Sequence, residues 1–191
     1  MKRTGFINLE RMRKGLRAGR KPVAVAVAAA LIGGCGQTEE VDIYTSLQEC
    51  LQKQLGEAQM CHAAFQEALR EAEQTAPKYA TQADCEYDFG EQQCVTQERQ
   101  GGSWFMPAMA GFMMGRALSG GDRVAPLYQS SQQRSPVHGK WVTSDGQVVA
   151  NANQRQARVS PDSFRPKPMS ARPLSRGGFG NQAAARSSWG G

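Results

Sequence analysis

The stretch YTSLQECLQKQLGEAQMC (Tyr44–Cys61) returns in shortened form as YATQADCEYDFGEQQC (Tyr79–Cys94). Each copy has a tyrosine, a cysteine six positions on with an acid before it, an apolar residue, Gly-Glu, a glutamine and a closing cysteine. Each also opens with a hydroxyl residue three positions ahead of an acid, Ser46/Glu49 and Thr81/Asp84, which is the pattern of a capped helix start. Gly56 and Gly90 stand where a left-handed residue would end such a helix. The layout predicts two short helices, each with one cysteine on the helix and the other just past the glycine. Cys50, Cys61, Cys85 and Cys94 permit three disulfide connectivities. The internal similarity favours the local pairs Cys50 with Cys61 and Cys85 with Cys94, each contributing about 2–3 kcal/mol by loop closure.

Between the copies, EAQMCHAAFQEALREAEQTAP (Glu57–Pro77) places positions 61, 64, 65, 68, 69 and 72 on one helical stripe. Gln59, His62, Gln66, Glu67, Arg70 and Glu73 face the other way, and Pro77 stops the helix near Ala76. Residues 42–98 therefore read as a small, mainly α, disulfide-stapled domain. At that size the staples are needed, because a short chain buries too little surface to hold itself together.

Downstream, GGSWFMPAMAGFMMGRALSGG (Gly101–Gly121) is apolar and rich in Gly and Met. Three readings are open for it: a helix lying in a membrane interface, with Gly111 and Gly115 at close-packing spacing; a Met-rich binding surface; or a segment folded against the 42–98 domain. Residues 122–191 are rich in Ser, Arg, Gln, Pro and Gly, the composition of a largely disordered C-terminal tail. Within that tail, residues 139–150 hold two β-prone runs around Ser144-Asp145-Gly146 and can pair as a hairpin if docked on something.

Upstream, residues 1–34 read as a lipoprotein-type signal peptide. Eight Lys/Arg against one acid in residues 1–35 precede and flank VAVAVAAALI (Val23–Ile32), an apolar run of ten residues. Ten residues of helix span about 15 Å, half of a ~30 Å hydrocarbon core, so the run is too short to cross a membrane. Ile32-Gly33-Gly34-Cys35 resembles the lipobox of bacterial lipoproteins, which makes Cys35 the expected site of lipidation and the mature N-terminus, with residues 35–41 as a linker. The chain's net charge of +6 invites nucleic acid as a partner, yet much of it resides in that leader. Residues 36–100 hold 13 acids against 4 bases, so no nucleic-acid partner is expected. A lone Arg176-Gly-Gly-Phe-Gly180 is too little to change this.

No G-x-S-x-G, H-E-x-x-H, Walker or dinucleotide motif occurs. The cysteines lack C-x-x-C spacing, and His62 and His138 are isolated, so zinc is the weaker reading of the cysteines. No catalytic, cofactor or metal residues are assigned, and the chain is read as a non-enzyme without a cofactor.

In the wording and order of MKRTGFINLERMRK, EAEQTAPKYATQADCEYDFGEQQC, SWFMPAMAGFMMGR and RGGFG, the chain resembles the uncharacterised YgiB family of enterobacterial lipoprotein-like sequences. That resemblance supplies no active-site residues. It implies a genomic association, with family members often encoded beside an ATP-grasp protein similar to glutathionylspermidine synthase, and the alternative expectation is that this chain is a substrate or carrier of such a neighbouring peptide-ligase-like partner. The leading expectation is a lipid-anchored, periplasm-facing protein of the cell envelope with an interaction or structural role. Gly36 after the cysteine favours the outer over the inner membrane. Membrane-surface binding through residues 101–121 is the remaining alternative.

Overall fold

The computed structural model describes residues 38–99, 102–116, 122–165 and 174–187. Ser46 and Thr81 start helices there, their hydroxyls accepting from the backbone N–H of Glu49 (3.1 Å) and Asp84 (3.2 Å). Chain order is β1 (Glu39–Tyr44), α1 (Leu47–Lys53), α2 (Ala58–Thr75), α3 (Gln82–Phe89), β2 (Cys94–Arg99), β3 (Gly102–Pro107), β4 (Gly111–Arg116) and β5 (Asp122–Leu127). It continues through β6 (Lys140–Val142), β7 (Val148–Asn151), β8 (Gln156–Val159), a 3-10 turn (Pro161–Phe164) and α4 (Gly178–Ser187).

Four strands form an antiparallel sheet in the order β5-β4-β1-β8. Alternation along each strand gives the sheet two apolar faces. One face presents Tyr44, Phe112 and Met114 to α1 and α2, where Cys50, Cys61, Ala64 and Ala68 are buried. The other presents Val41, Ile43, Met113, Ala125 and Leu127 to Trp141 and Phe164, beneath the β6–β7 hairpin and the 3-10 turn. A third cluster gathers Tyr79, Cys85, Phe89 and Met106 with Tyr128, Val137, Val142, Phe179 and Ala183. It joins α3, the β2–β3 hairpin, the segment after β5 and α4 into one body.

The mainly α expectation is overturned: helix and antiparallel strand occur in roughly equal shares. The error arose in Gly101–Gly121. Residues 111–116 form a central strand, and Phe112, Met113 and Met114 are all buried because both of its faces are covered, so no period-two alternation is visible. Gly111 and Gly115 serve the sheet rather than a helix pair. A methyl on Gly111 would lie 2.5 Å from the Tyr44 carbonyl oxygen, and one on Gly115 would lie 3.0 Å from Val41 Cγ1 and 3.2 Å from Phe164 Cζ. Residues 102–107 and 111–116 are strands whose apolar side chains enter the fold, so the described part of this segment is not a membrane-interface helix.

The disordered tail is corrected likewise. Residues 122–165 and 174–187 contribute strands β5 to β8, the 3-10 turn and α4, and bury Tyr128, Trp141, Val142, Phe164 and Phe179. These residues are few and scattered along a largely polar stretch, so the local composition conceals a core assembled from distant segments. The hairpin pairs β6 with β7 and docks through a Tyr128–Val142 bridge. β1 begins at Glu39, inside the stretch read as linker 35–41. The signal peptide 1–34 and Cys35 lie outside the described residues. Among the described residues no helix is long and apolar enough to cross a membrane.

Candidate functional site

A groove of about 390 Å³ opens where α2 passes the β2–β3 hairpin. Helix α2 supplies Phe65, Leu69, Ala72 and Glu73, which follow one another at helical-turn spacing, and Phe65 also packs edge-on against Phe112 of the main sheet (ring centroids 5.8 Å). Val95 and Gln97 project from β2, and Met106 comes from β3, opposite Val95 in the ladder register. Ala108 and Met109, between β3 and β4, and Thr45 and Ser46, between β1 and α1, complete the lining. The surface is apolar apart from the Glu73 carboxylate and a few neutral polar groups. Val95 remains 42% exposed, unusual for a valine beside an apolar wall. Of the Met-rich segment, Met106 and Met109 reach the groove, whereas Met113 and Met114 are core.

The cysteines flank this site. Cys50 is bonded to Cys61 (Cα–Cα 5.8 Å) and Cys85 to Cys94 (6.2 Å), the same two local pairs the internal similarity suggests. The first ties α1 to α2, and the second ties α3 to β2, fixing the strand that carries Val95. The paired tyrosines of the two copies are equally placed. The Tyr44 hydroxyl accepts from Gln54 Nε2 (2.8 Å), and the Tyr79 hydroxyl donates to Asp88 Oδ2 (2.8 Å). Gly90 caps α3 with φ +114 and an extended ψ of 159, so it is not the left-handed helical residue the sequence suggests.

Asp88 is 4% exposed and also accepts from the backbone N–H of Gly177 (2.9 Å) and Phe179 (3.2 Å). Burial pushes its carboxyl above the usual carboxylate range, against the pull of the tyrosine hydroxyl and the two amides. The Arg-Gly-Gly-Phe-Gly element thus folds back on the second copy. Arg176 lies 3.4 Å from Asp84 and over the Tyr87 ring, and Phe179 packs 4.8 Å from Phe89.

A second cavity of about 660 Å³ lies between α2, β5 and the 3-10 turn, lined by Glu67, Arg70, Glu71, Arg123, Phe164 and Arg165 among others. Burial, and then the neighbouring Glu67 carboxylate, push Glu71 up to about 7. Glu71 in turn helps burial raise the phenol of Tyr128. Glu71 has neither a nucleophile nor a histidine beside it among the lining residues. His62 and His138 are exposed and lie on separate elements. Among the described residues no group of three His, Cys, Asp or Glu side chains could hold a metal ion. Sequence reasoning missed both cavities, whose walls come from segments far apart in the chain. The one usable signal was Met106 and Met109 in a Met-rich run.

A family profile described as "Protein of unknown function (DUF1190)" matches residues 38–190. The chain is 41% identical over 207 residues to a UPF0441 protein of Pectobacterium carotovorum subsp. carotovorum (strain PC1), covering 98% of this chain and 92% of the relative. It is 39% identical over 210 residues to a UPF0441 protein of Yersinia pestis, with the same coverage of 98% and 92%. With a UPF0441 protein of Serratia proteamaculans (strain 568) it shares 38% identity over 205 residues, covering 98% and 93%. No solved structure matches.

Proposed function

The chain belongs to the DUF1190 family, and from that premise we propose that it is an exported, lipid-anchored protein of the cell envelope with a non-enzymatic interaction role. Membership agrees with the YgiB-like wording of its sequence blocks. The observation that carries the reading is the pair of disulfides, Cys50–Cys61 and Cys85–Cys94, closed inside the fold. Such bonds persist in oxidising compartments, and the lipobox ending at Cys35 supplies the route to one. With these four cysteines paired, Cys35 is the remaining thiol of the chain's five cysteines. The interaction role draws support from the apolar groove beside α2, which has the concave, mostly apolar character of a binding site.

Labelling with a fatty-acid analogue in wild type and Cys35→Ala, followed by membrane fractionation, tests the anchor. The wild type is expected to take up label and sediment with membranes, and the variant to do neither. An unlabelled wild type that keeps its leader and a reduced Cys35 thiol overturns the reading.

A further inference from the structure

We propose that the outer edge of β2, together with the apolar groove beside it, binds an extended, cationic peptide segment of a partner protein, which adds as a strand next to β2. This rests on the reading of the protein as an interaction module and names the partner's chemistry.

The backbone supplies the first argument. Phe105 of β3 exchanges both of its backbone hydrogen bonds with Tyr79 (2.8 and 3.0 Å), and Tyr79 in turn bridges Leu174, so that side of the hairpin is closed. Because Phe105 is committed to Tyr79, its ladder pair with Thr96 is of the non-hydrogen-bonded kind, and Thr96 turns its own N–H and C=O away from β3. Glu98, two residues on, is in the same phase. Among the described residues no strand lies against that edge.

Exposed edges are ordinarily blunted by prolines, bulges or short length. In the main sheet, edge strand β5 contains Pro126, and β8 is four residues long. β2 is six residues long, pairs without a register break and contains no proline. The side chains supply the second argument. A strand added about 4.8 Å beyond β2 sets every second side chain on the face of Val95 and Gln97, toward Phe65 and Leu69 of α2. An edge strand with an apolar groove along it is the arrangement of strand-addition recognition, where the backbone gives affinity and alternate side chains give specificity. Met106 and Met109 make an adaptable floor.

Charge selects the occupant. Glu73 is the one charged side chain lining the groove, Glu98 is exposed on β2, and residues 36–100 hold 13 acids against 4 bases. A segment alternating apolar and basic residues complements both the groove and its rim. A second copy of β2 would bring Glu98 and the same acidic surface against itself.

The test is fluorescence anisotropy of the oxidised full-length chain with two labelled heptapeptides, Lys-Val-Lys-Val-Lys-Val-Lys and its Glu-for-Lys counterpart. The lysine peptide is expected to bind at least tenfold tighter, with an affinity that falls as salt rises. Thr96→Pro removes an outward N–H and no bond to β3, so it is expected to weaken binding about tenfold at an unchanged melting temperature. Glu73→Lys guards against a misfolded proline variant and is expected to weaken the lysine peptide while sparing the glutamate peptide. Amide exchange at Thr96 and Glu98 is expected to slow when the peptide is present. Equal binding of both peptides, full binding by Thr96→Pro, a dimer that forms through β2 and excludes peptide, or displacement by a fatty-acyl probe instead of peptide each overturns the proposal. Cys35 labelling and fractionation read the anchor independently, so failure of one is not failure of the other.

Discussion

At Asp88 the backbone of one end of the chain meets the side chains of the middle. Its carboxyl gathers the Tyr79 hydroxyl and the amides of Gly177 and Phe179, so a position that reads in sequence as one more surface acid is a buried junction. Glu71 shows the same effect of environment on a carboxyl. With its pKa at about 7, above its ordinary 4.5, its neutral form is favoured by the fold. The stability it lends is complete below about pH 4.5 and is lost as pH rises through 7, because ionisation must then occur in a half-buried site beside Glu67. Glu71→Gln is therefore expected to flatten the pH dependence. Relative to wild type, it gains up to about 3 kcal/mol at pH 8 and little at pH 4.5, the ceiling set by the size of the shift. Urea unfolding at the two pH values measures it; a wild-type midpoint that rises between pH 5 and 8, with the variant following it, contradicts the assignment.

Elements with local causes were legible in the sequence, and elements with distant causes were not. Ser46, Thr81 and the stripe 61-64-68-72 define α1, α3 and α2 through contacts three or four residues away, and the cysteine pairs lie only 11 and 9 residues apart. β4 is a strand because β1 and β5 flank it and helices and hairpin cover its two faces, information carried by residues 39–44, 122–127 and 140–151. The groove shares that origin, since its walls exist only after α2 and the β2–β3 hairpin have met. Gly111 tests the strand reading of a spacing that also suits helices. Adding a methyl 2.5 Å from the Tyr44 carbonyl forces β1 and β4 apart, so Gly111→Ala is expected to cost about 1–3 kcal/mol. Calorimetry that shows Gly111→Ala as stable as wild type would contradict the close approach.

For the whole molecule, the C-terminal region is part of the core. Phe179 is fully buried against Phe89, and Leu174 N–H donates to the Lys78 carbonyl (2.6 Å). A chain ended at Arg165 strips the cover from Tyr79, Phe89 and Asp88. It is expected to lose at least about 3 kcal/mol, the cost of removing a buried phenylalanine alone. A urea midpoint equal to that of the full chain would restore the picture of a dispensable tail. Order of synthesis gives the architecture a further meaning. β1, the first strand to be made among the described residues, sits in the interior of the sheet between β4 and β8, and its partners end at residues 116 and 159. No large part of the sheet can close until most of the chain has been made, because the contacts that reward closure are distant in sequence. The same strand order that stabilises the finished protein therefore withholds the fold until synthesis is well advanced.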